Sequence, residues 1–186
     1  MTHFKTKRKI LNPGKYFSNI ILVSILFPVL ATAGWETVTY TNVDNNFQTR
    51  VARIENEEGY SLEIYRDASD AVRSRFNMNS NNRLQEKTCP TYQVDNHNSQ
   101  NRSINDAPCI SNRQWAEYVL GYIIDNQVDS TKLHNLMNGN QITYRFILEN
   151  SGYATTSFSL RGSKQTLMDT LGSDLKVIPE SKTSVQ

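Results

Sequence analysis

The sequence predicts a mainly β domain, an antiparallel sandwich carrying two short helices, with an α+β arrangement as the alternative. Three observations lead there. Downstream of residue 33 the chain is rich in Asn, Ser, Thr and Tyr and poor in Ala and Leu. That composition favours turns and pleated surfaces over helix. Several segments alternate apolar and polar residues with a period of two, separated by Asn-, Asp- and Gly-containing turns. Only two short stretches carry helical spacing with a cap in front and a glycine behind. Strand-rich order with two such helices fits packed antiparallel layers.

The elements follow in chain order. Trp35 to Thr41 alternates Trp35, Thr37 and Thr39 against Glu36, Val38 and Tyr40, as a first strand. Asn42 to Asn46 is a turn. Phe47 to Ile54 places Phe47, Thr49, Val51 and Arg53 on one face and Gln48, Arg50, Ala52 and Ile54 on the other. Glu55-Asn56-Glu57-Glu58-Gly59 turns the chain into Tyr60 to Arg66, which gives the clearest hairpin. Val72 to Met78 alternates again, before a loop at Asn79 to Asn82. Trp115 to Ile124 suits a buried strand better than a helix, because Gly121 weakens helix. Asp129 to Met137 reads as helix, with Asp129 or Ser130 as cap, Leu133, Leu136 and Met137 on one face, and Gly139 as the stop. Gln141 to Leu148 and Tyr153 to Leu160 form a second hairpin across Glu149-Asn150-Ser151-Gly152. A last helix opens at Gly162-Ser163, with Ser163 as cap, and stops at Gly172. Leu175 to Ile178 adds an edge strand.

The first 33 residues read as a cleaved secretory signal peptide. Lys5, Lys7, Arg8, Lys9 and Lys15 lead an apolar run from Ile20 to Leu30, and Ala31-Thr32-Ala33 precedes Gly34. The run is shorter than the roughly 20 residues of a spanning helix, and its exit has the small-x-small form of a cleavage site. The expected organisation is a leader (1–33), one domain (34–178) and a flexible tail (179–186). Beyond the leader the chain holds 15 basic and 18 acidic residues. The pI near 8.5 therefore belongs largely to the leader. A nucleic-acid partner is not expected for the acidic remainder.

Export also bears on the two cysteines, Cys89 and Cys109. An isolated pair in an oxidising compartment is expected to form a disulfide. The spacing is far from Cys-x-x-Cys. The enclosed stretch from Val94 to Arg102 is polar and turn-prone, so a covalent staple has a clear purpose there.

No segment carries a catalytic motif. Ser157, Ser159 and Ser163 lack a Gly-x-Ser-x-Gly elbow. His97 sits in the stapled loop and His134 in the first helix, neither beside an activated nucleophile. The carboxylates Asp125 with Asp129, and Glu55 with Glu57 and Glu58, lie in solvated turns. Asp44-Asn45-Asn46 and Asp125-Asn126 lack the spacing of a calcium loop. The pattern Asn101-Arg102-Ser103 matches a glycosylation acceptor without further support. No cofactor or metal is expected. The candidate interaction surface is Tyr92, Tyr118, Tyr122, Arg73 and Arg75, with Arg83 near the arginine pair. Tyrosine joins large contact area to a polar tip. Repeated hairpins also leave edge strands open to pairing.

The block Ile142-Thr143-Tyr144-Arg145-Phe146, then Thr155-Thr156-Ser157-Phe158-Ser159-Leu160-Arg161-Gly162-Ser163 and Leu167, resembles a strand–turn–strand–helix ending shared by two groups of small exported bacterial proteins. One is the invasion-associated locus B family of periplasmic or surface proteins. The other is the periplasmic accessory proteins of type VI secretion loci. A start at Gly34-Trp35 is also similar to the first group, whereas Cys89-Pro90-Thr91-Tyr92 departs from both. The resemblance implies a β-rich bacterial envelope protein that acts through contacts. It transfers no catalytic residue. The expected location is the periplasm or outer envelope, alternatively the medium, and the expected partners are other envelope proteins or a secretion-type assembly. The other functional expectations are an exported hydrolase or hydrolase inhibitor using the stapled loop, and a small-ligand or ion-binding sandwich.

Overall fold

A computed structural model describes residues 34–41, 48–100 and 109–180. The leader, the turn at Asn42 to Asn46 with the Phe47 that follows it, the Asn101 acceptor pattern and the tail from residue 181 lie outside the described residues. The strands are β1 (Glu36–Thr41), β2 (Gln48–Glu55), β3 (Ser61–Arg66), β4 (Ala71–Asn77), β5 (Thr91–Val94), β6 (Ile110–Ser111), β7 (Trp115–Tyr122), β8 (Gln127–Asp129), β9 (Gln141–Ile147), β10 (Tyr153–Ser159) and β11 (Lys176–Ile178). The helices are α1 (Thr131–Asn138), between β8 and β9, and α2 (Ser163–Leu171), between β10 and β11. The protein is mainly β and sandwich-like, with two short helices, as its alternation predicts.

Six strands form one antiparallel sheet in the order β1-β2-β3-β4-β7-β6, and three form a second in the order β10-β9-β5. β8 and β11 pair in parallel as a separate two-stranded ribbon. The inward faces of the two larger sheets meet through aromatic rings. Phe76 on β4 stacks on Tyr144 of β9 with centroids 4.5 Å apart and planes 9° apart. Phe158 of β10 meets Phe76 edge-on at 6.3 Å. Leu62, Ile64, Val72, Ile142 and Phe146 fill the space around them. α2 covers β1 to β3 with Leu167 and Leu171, and α1 buries Leu133, Leu136 and Met137.

The turns explain the register. Gly59 has φ +78° in the β2–β3 turn, and its N–H donates to Asn56 O at 2.9 Å. Asp125 and Asn126 both have positive φ, 47° and 61°, between the bridged pair Ile124 and Gln127. Two central residues of that kind make the mirror-image turn that matches strand twist. It ends the β7 stretch and creates β8.

Several boundaries differ from expectation. β5 lies inside the stapled segment, where Tyr92 and Val94 point to the core and the backbone pairs with β9. Ser130, not Asp129, caps α1, accepting from Leu133 N at 3.0 Å. Ser163 does not cap α2. Gly162 holds that position with φ +84°, while the buried Ser163 hydroxyl donates to Leu136 O at 2.8 Å and ties the helices together. At the start of the expected tail, the Glu180 N–H donates to Thr131 Oγ1 at 3.0 Å.

Candidate functional site

Strand alternation sends every second residue of the six-stranded sheet away from the core. Reading across the outer face, β1 to β6, the register aligns Glu36, Arg53, Glu63, Arg75, Glu117 and Ile110. The charge alternates over five neighbouring strands. Directly opposed charges of opposite sign support a sheet, each pair contributing roughly 0.2–1 kcal/mol. This row is the best-organised polar feature among the described residues.

Its centre is Glu117. Arg75 donates to Glu117 Oε2 from Nε at 2.9 Å and from Nη2 at 2.7 Å, and Arg73 reaches Oε1 at 3.1 Å. The Tyr65 hydroxyl donates to Oε2 at 2.5 Å and accepts from Arg75 Nη2 at 3.0 Å. Burial would raise the Glu117 proton affinity, but the Tyr65 hydroxyl and the two guanidiniums outweigh it, so its pKa lies below the ordinary value. Burial, then the bond to Glu117, push the Tyr65 phenol up. The Arg75 guanidinium is held between the Tyr65 ring, 5.5 Å from its centroid, and the Trp115 ring at 4.9 Å. Arg73 also pairs with Asp67 at 2.5 Å.

Nearer β1, Tyr40 donates to Glu63 Oε1 at 2.8 Å, and Arg53 Nε lies 3.8 Å from the same oxygen. Arg53 also pairs with Glu36 at 3.3 Å and with Glu55. Burial and the Glu63 contact raise the Tyr40 pKa. Between these two clusters lies a cleft of about 250 Å³ lined by Tyr40, Thr49, Val51, Glu63, Tyr65 and Arg75.

Of the residues singled out from the sequence, Arg73 and Arg75 fall on this face, but as a neutralised pair rather than a basic patch. Arg83 is elsewhere, donating to the carbonyls of Asn79, Ser80 and Asn82. Tyr92 and Tyr118 do not belong to a surface. Each is only 3 % exposed. They meet edge-on at 5.3 Å and pack against Tyr144 at 5.6 and 6.4 Å, because β5 and β7 turn them towards the sandwich interior. The Tyr118 hydroxyl donates to Pro90 O at 2.9 Å, so its polar tip is satisfied inside. Tyr122 is 57 % exposed, but stands at the far end of β7 beside exposed Ile124 and the Asp125-Asn126 turn. Cys89 and Cys109 are bonded, with Cα atoms 6.0 Å apart. His97 Nδ1 lies 3.0 Å from Val94 O, within its own turn.

The strand edges are more guarded than the hairpin pattern suggests. Leu148 N donates to Gly152 O at 2.7 Å and Leu160 N to Asn140 O at 2.8 Å. That phase turns the backbone groups of Tyr153, Thr155, Ser157 and Ser159 outwards from β10. Asn56 Nδ2 then occupies Ser157 O at 3.1 Å, and Trp35 Nε1 occupies Ser159 O at 2.9 Å. Covering an edge in this way opposes unwanted pairing. β1 is one of the two edge strands of the large sheet, with β6 at the other end, and all its residues except Val38 are exposed.

The candidate surface read from the sequence left out Tyr40, Glu63, Tyr65, Trp115 and Glu117. Each sits at the outward phase of a strand the alternation identifies, and the alternating charges of Arg53, Glu63, Arg75 and Glu117 were the available signal. Among the described residues, no helix is long and apolar enough to cross a membrane, and no three His, Cys, Asp or Glu side chains gather as metal ligands. No family model matches the chain, and neither a curated protein nor a solved structure matches it.

Proposed function

We propose that this is an exported, non-enzymatic binding or assembly protein of the bacterial cell envelope, periplasmic or at the outer envelope. It works through protein–protein contacts, as an accessory or structural subunit of a secretion-type complex. The leader sequence and the Cys89–Cys109 bond support export into an oxidising compartment. The observation that carries the contact role is the cross-strand row on the outer sheet face. Its long side chains are already held by one another before any partner arrives. Ordering such side chains on binding costs about 0.5–1.5 kcal/mol each, so a face ordered in advance binds at lower cost. The same pairing speaks against acid–base chemistry there. A general acid at neutral pH needs a raised carboxyl pKa, and that of Glu117 is lowered.

Photo-cross-linking in native envelopes tests the reading. A cross-linking residue placed at Tyr40 or Trp115 on the outer face is expected to trap a discrete protein adduct. The same residue at Tyr153, on the other sheet, is the control. A chain that runs without an adduct from both outer-face positions overturns the proposal. Recovery of a species beginning at Gly34 is the expected sign of export.

A further inference from the structure

The cleft between Tyr40 and Tyr65 has a composition that the contact role does not need. Val51, 2 % exposed, closes its floor, and two phenol rings flank it. Both hydroxyls are committed, Tyr40 to Glu63 and Tyr65 to Glu117, so the rings are fixed in place. Glu63 is more than nine-tenths buried, and its Oε1 takes Tyr40 and Arg53. Among the described residues, the bonds of Glu63 fall on Oε1 and those of Arg75 on Nε and Nη2, which leaves Glu63 Oε2 and Arg75 Nη1 without a hydrogen bond. Glu63 and Arg75 are direct cross-strand partners, which sets an acceptor and a donor side by side.

The chemistry of an occupant follows by exclusion. A cation would meet Arg75, and an anion would meet buried Glu63. An apolar group would strip water from both without replacing its hydrogen bonds. A neutral ring with adjacent hydroxyls satisfies all the walls. Each hydroxyl donates and accepts, so one serves Glu63 and its neighbour serves Arg75, while C–H faces lie on the tyrosines. At about 250 Å³ the cleft falls just below the roughly 300–1,000 Å³ of drug-sized sites, which suits a single ring. We infer that the Tyr40–Glu63–Tyr65–Arg75 cleft binds one sugar ring of a neutral glycan. This goes beyond the contact role above and stands or falls without it.

The test titrates protein purified from expression of the full chain with chitotriose, cellotriose and maltotriose, followed by calorimetry and saturation-transfer NMR. N-acetylalanine amide is the amide control. At least one trisaccharide is expected to bind saturably. Tyr40→Ala and Glu63→Gln should each weaken it about tenfold, equivalent to ~1.4 kcal/mol, while Tyr153→Ala should not. Two variants are used because Glu63 is buried and Tyr40 is half exposed. The inference is overturned if none of the three sugars binds, if the amide binds in their place, or if Tyr40→Ala binds the sugar like the unaltered protein.

Discussion

Arg75 and Glu117 face each other across the β4–β7 ladder, and two guanidinium nitrogens of Arg75 donate to the same carboxylate oxygen, at 2.9 and 2.7 Å. Removing the carboxylate leaves Arg73, Arg75 and the Tyr65 hydroxyl without their shared acceptor. Breaking a fully buried pair costs roughly 3–5 kcal/mol. The Arg75 side chain is 33 % exposed, so water recovers part of that loss. Glu117→Ala is expected to lower stability by about 2 kcal/mol in urea unfolding. A double-mutant cycle with Arg75→Met should show a coupling of about 1 kcal/mol. Additive single effects would mean that the pair does not act as a unit.

Part of the acid sensitivity should trace to Asp67, beside that of Glu117. Burial alone would raise its pKa. Arg73 Nε, the Ser69 hydroxyl and the Ser69 and Ala71 amides together hold it at about 2. A carboxylate whose folded pKa lies below its unfolded value of about 3.9 contributes stability that is complete above about pH 5. That contribution is lost as pH falls through about 4 to about 2. Solvent screens this site, so about 1 kcal/mol is at stake. Asp67→Asn should lower the melting temperature at pH 7 and converge with the unaltered protein near pH 2. Parallel pH profiles would refute the assignment.

The unequal legibility of these features has a physical basis. β2 and β3 could be read because each alternates over six or more residues and a short turn joins them. β5 could not, since four residues between Pro90 and a polar loop offer too little period. β8, with three residues, exists only because the Asp125-Asn126 turn folds it back and β11 pairs with it. The tyrosines fail for another reason. Tyr118 and Tyr122 share a strand and a residue type, yet one is core and the other surface. What separates them is the second sheet, which packs over Tyr118 and is built from residues far along the chain. The charge row is equally non-local, since 42 residues separate Arg75 from Glu117.

Gly139 ends α1 as the sequence implies, but through space rather than backbone conformation. Its φ is −81°, which any residue adopts. A Cβ there would lie 2.5 Å from Val94 Cγ1 and 2.8 Å from Asn135 O. The close approach lets Asp95 accept the Asn140 and Gln141 amides, both at 3.0 Å from its carboxylate oxygens. Gly139→Ala must therefore push β5 away from α1. It should cost about 1–3 kcal/mol, the range for overpacking. Hydrogen exchange should quicken at the Asn140 and Gln141 amides. An unchanged unfolding midpoint would show that the contact relaxes freely.

The Cys89–Cys109 bond closes a segment with a sequence separation of 20, and Cys89 is exposed, so a reductant can reach it. By the chain-entropy model such a closure is worth about 3 kcal/mol. The segment is not held by the bond alone. β5 pairs with β9, and Tyr92 exchanges backbone bonds with Gln100 at 2.7 and 3.4 Å. Reduction should therefore lower the urea midpoint while leaving β5 in place. The earliest loss of exchange protection should fall on Gln100, whose amide donates to Tyr92 O within the stapled segment, and not on Asp95, whose amide donates across to Gln141 O at 3.0 Å. The Cys89→Ser, Cys109→Ser double variant should reproduce the reduced protein. Equal urea midpoints with and without reductant would show that the strands, not the disulfide, hold this segment.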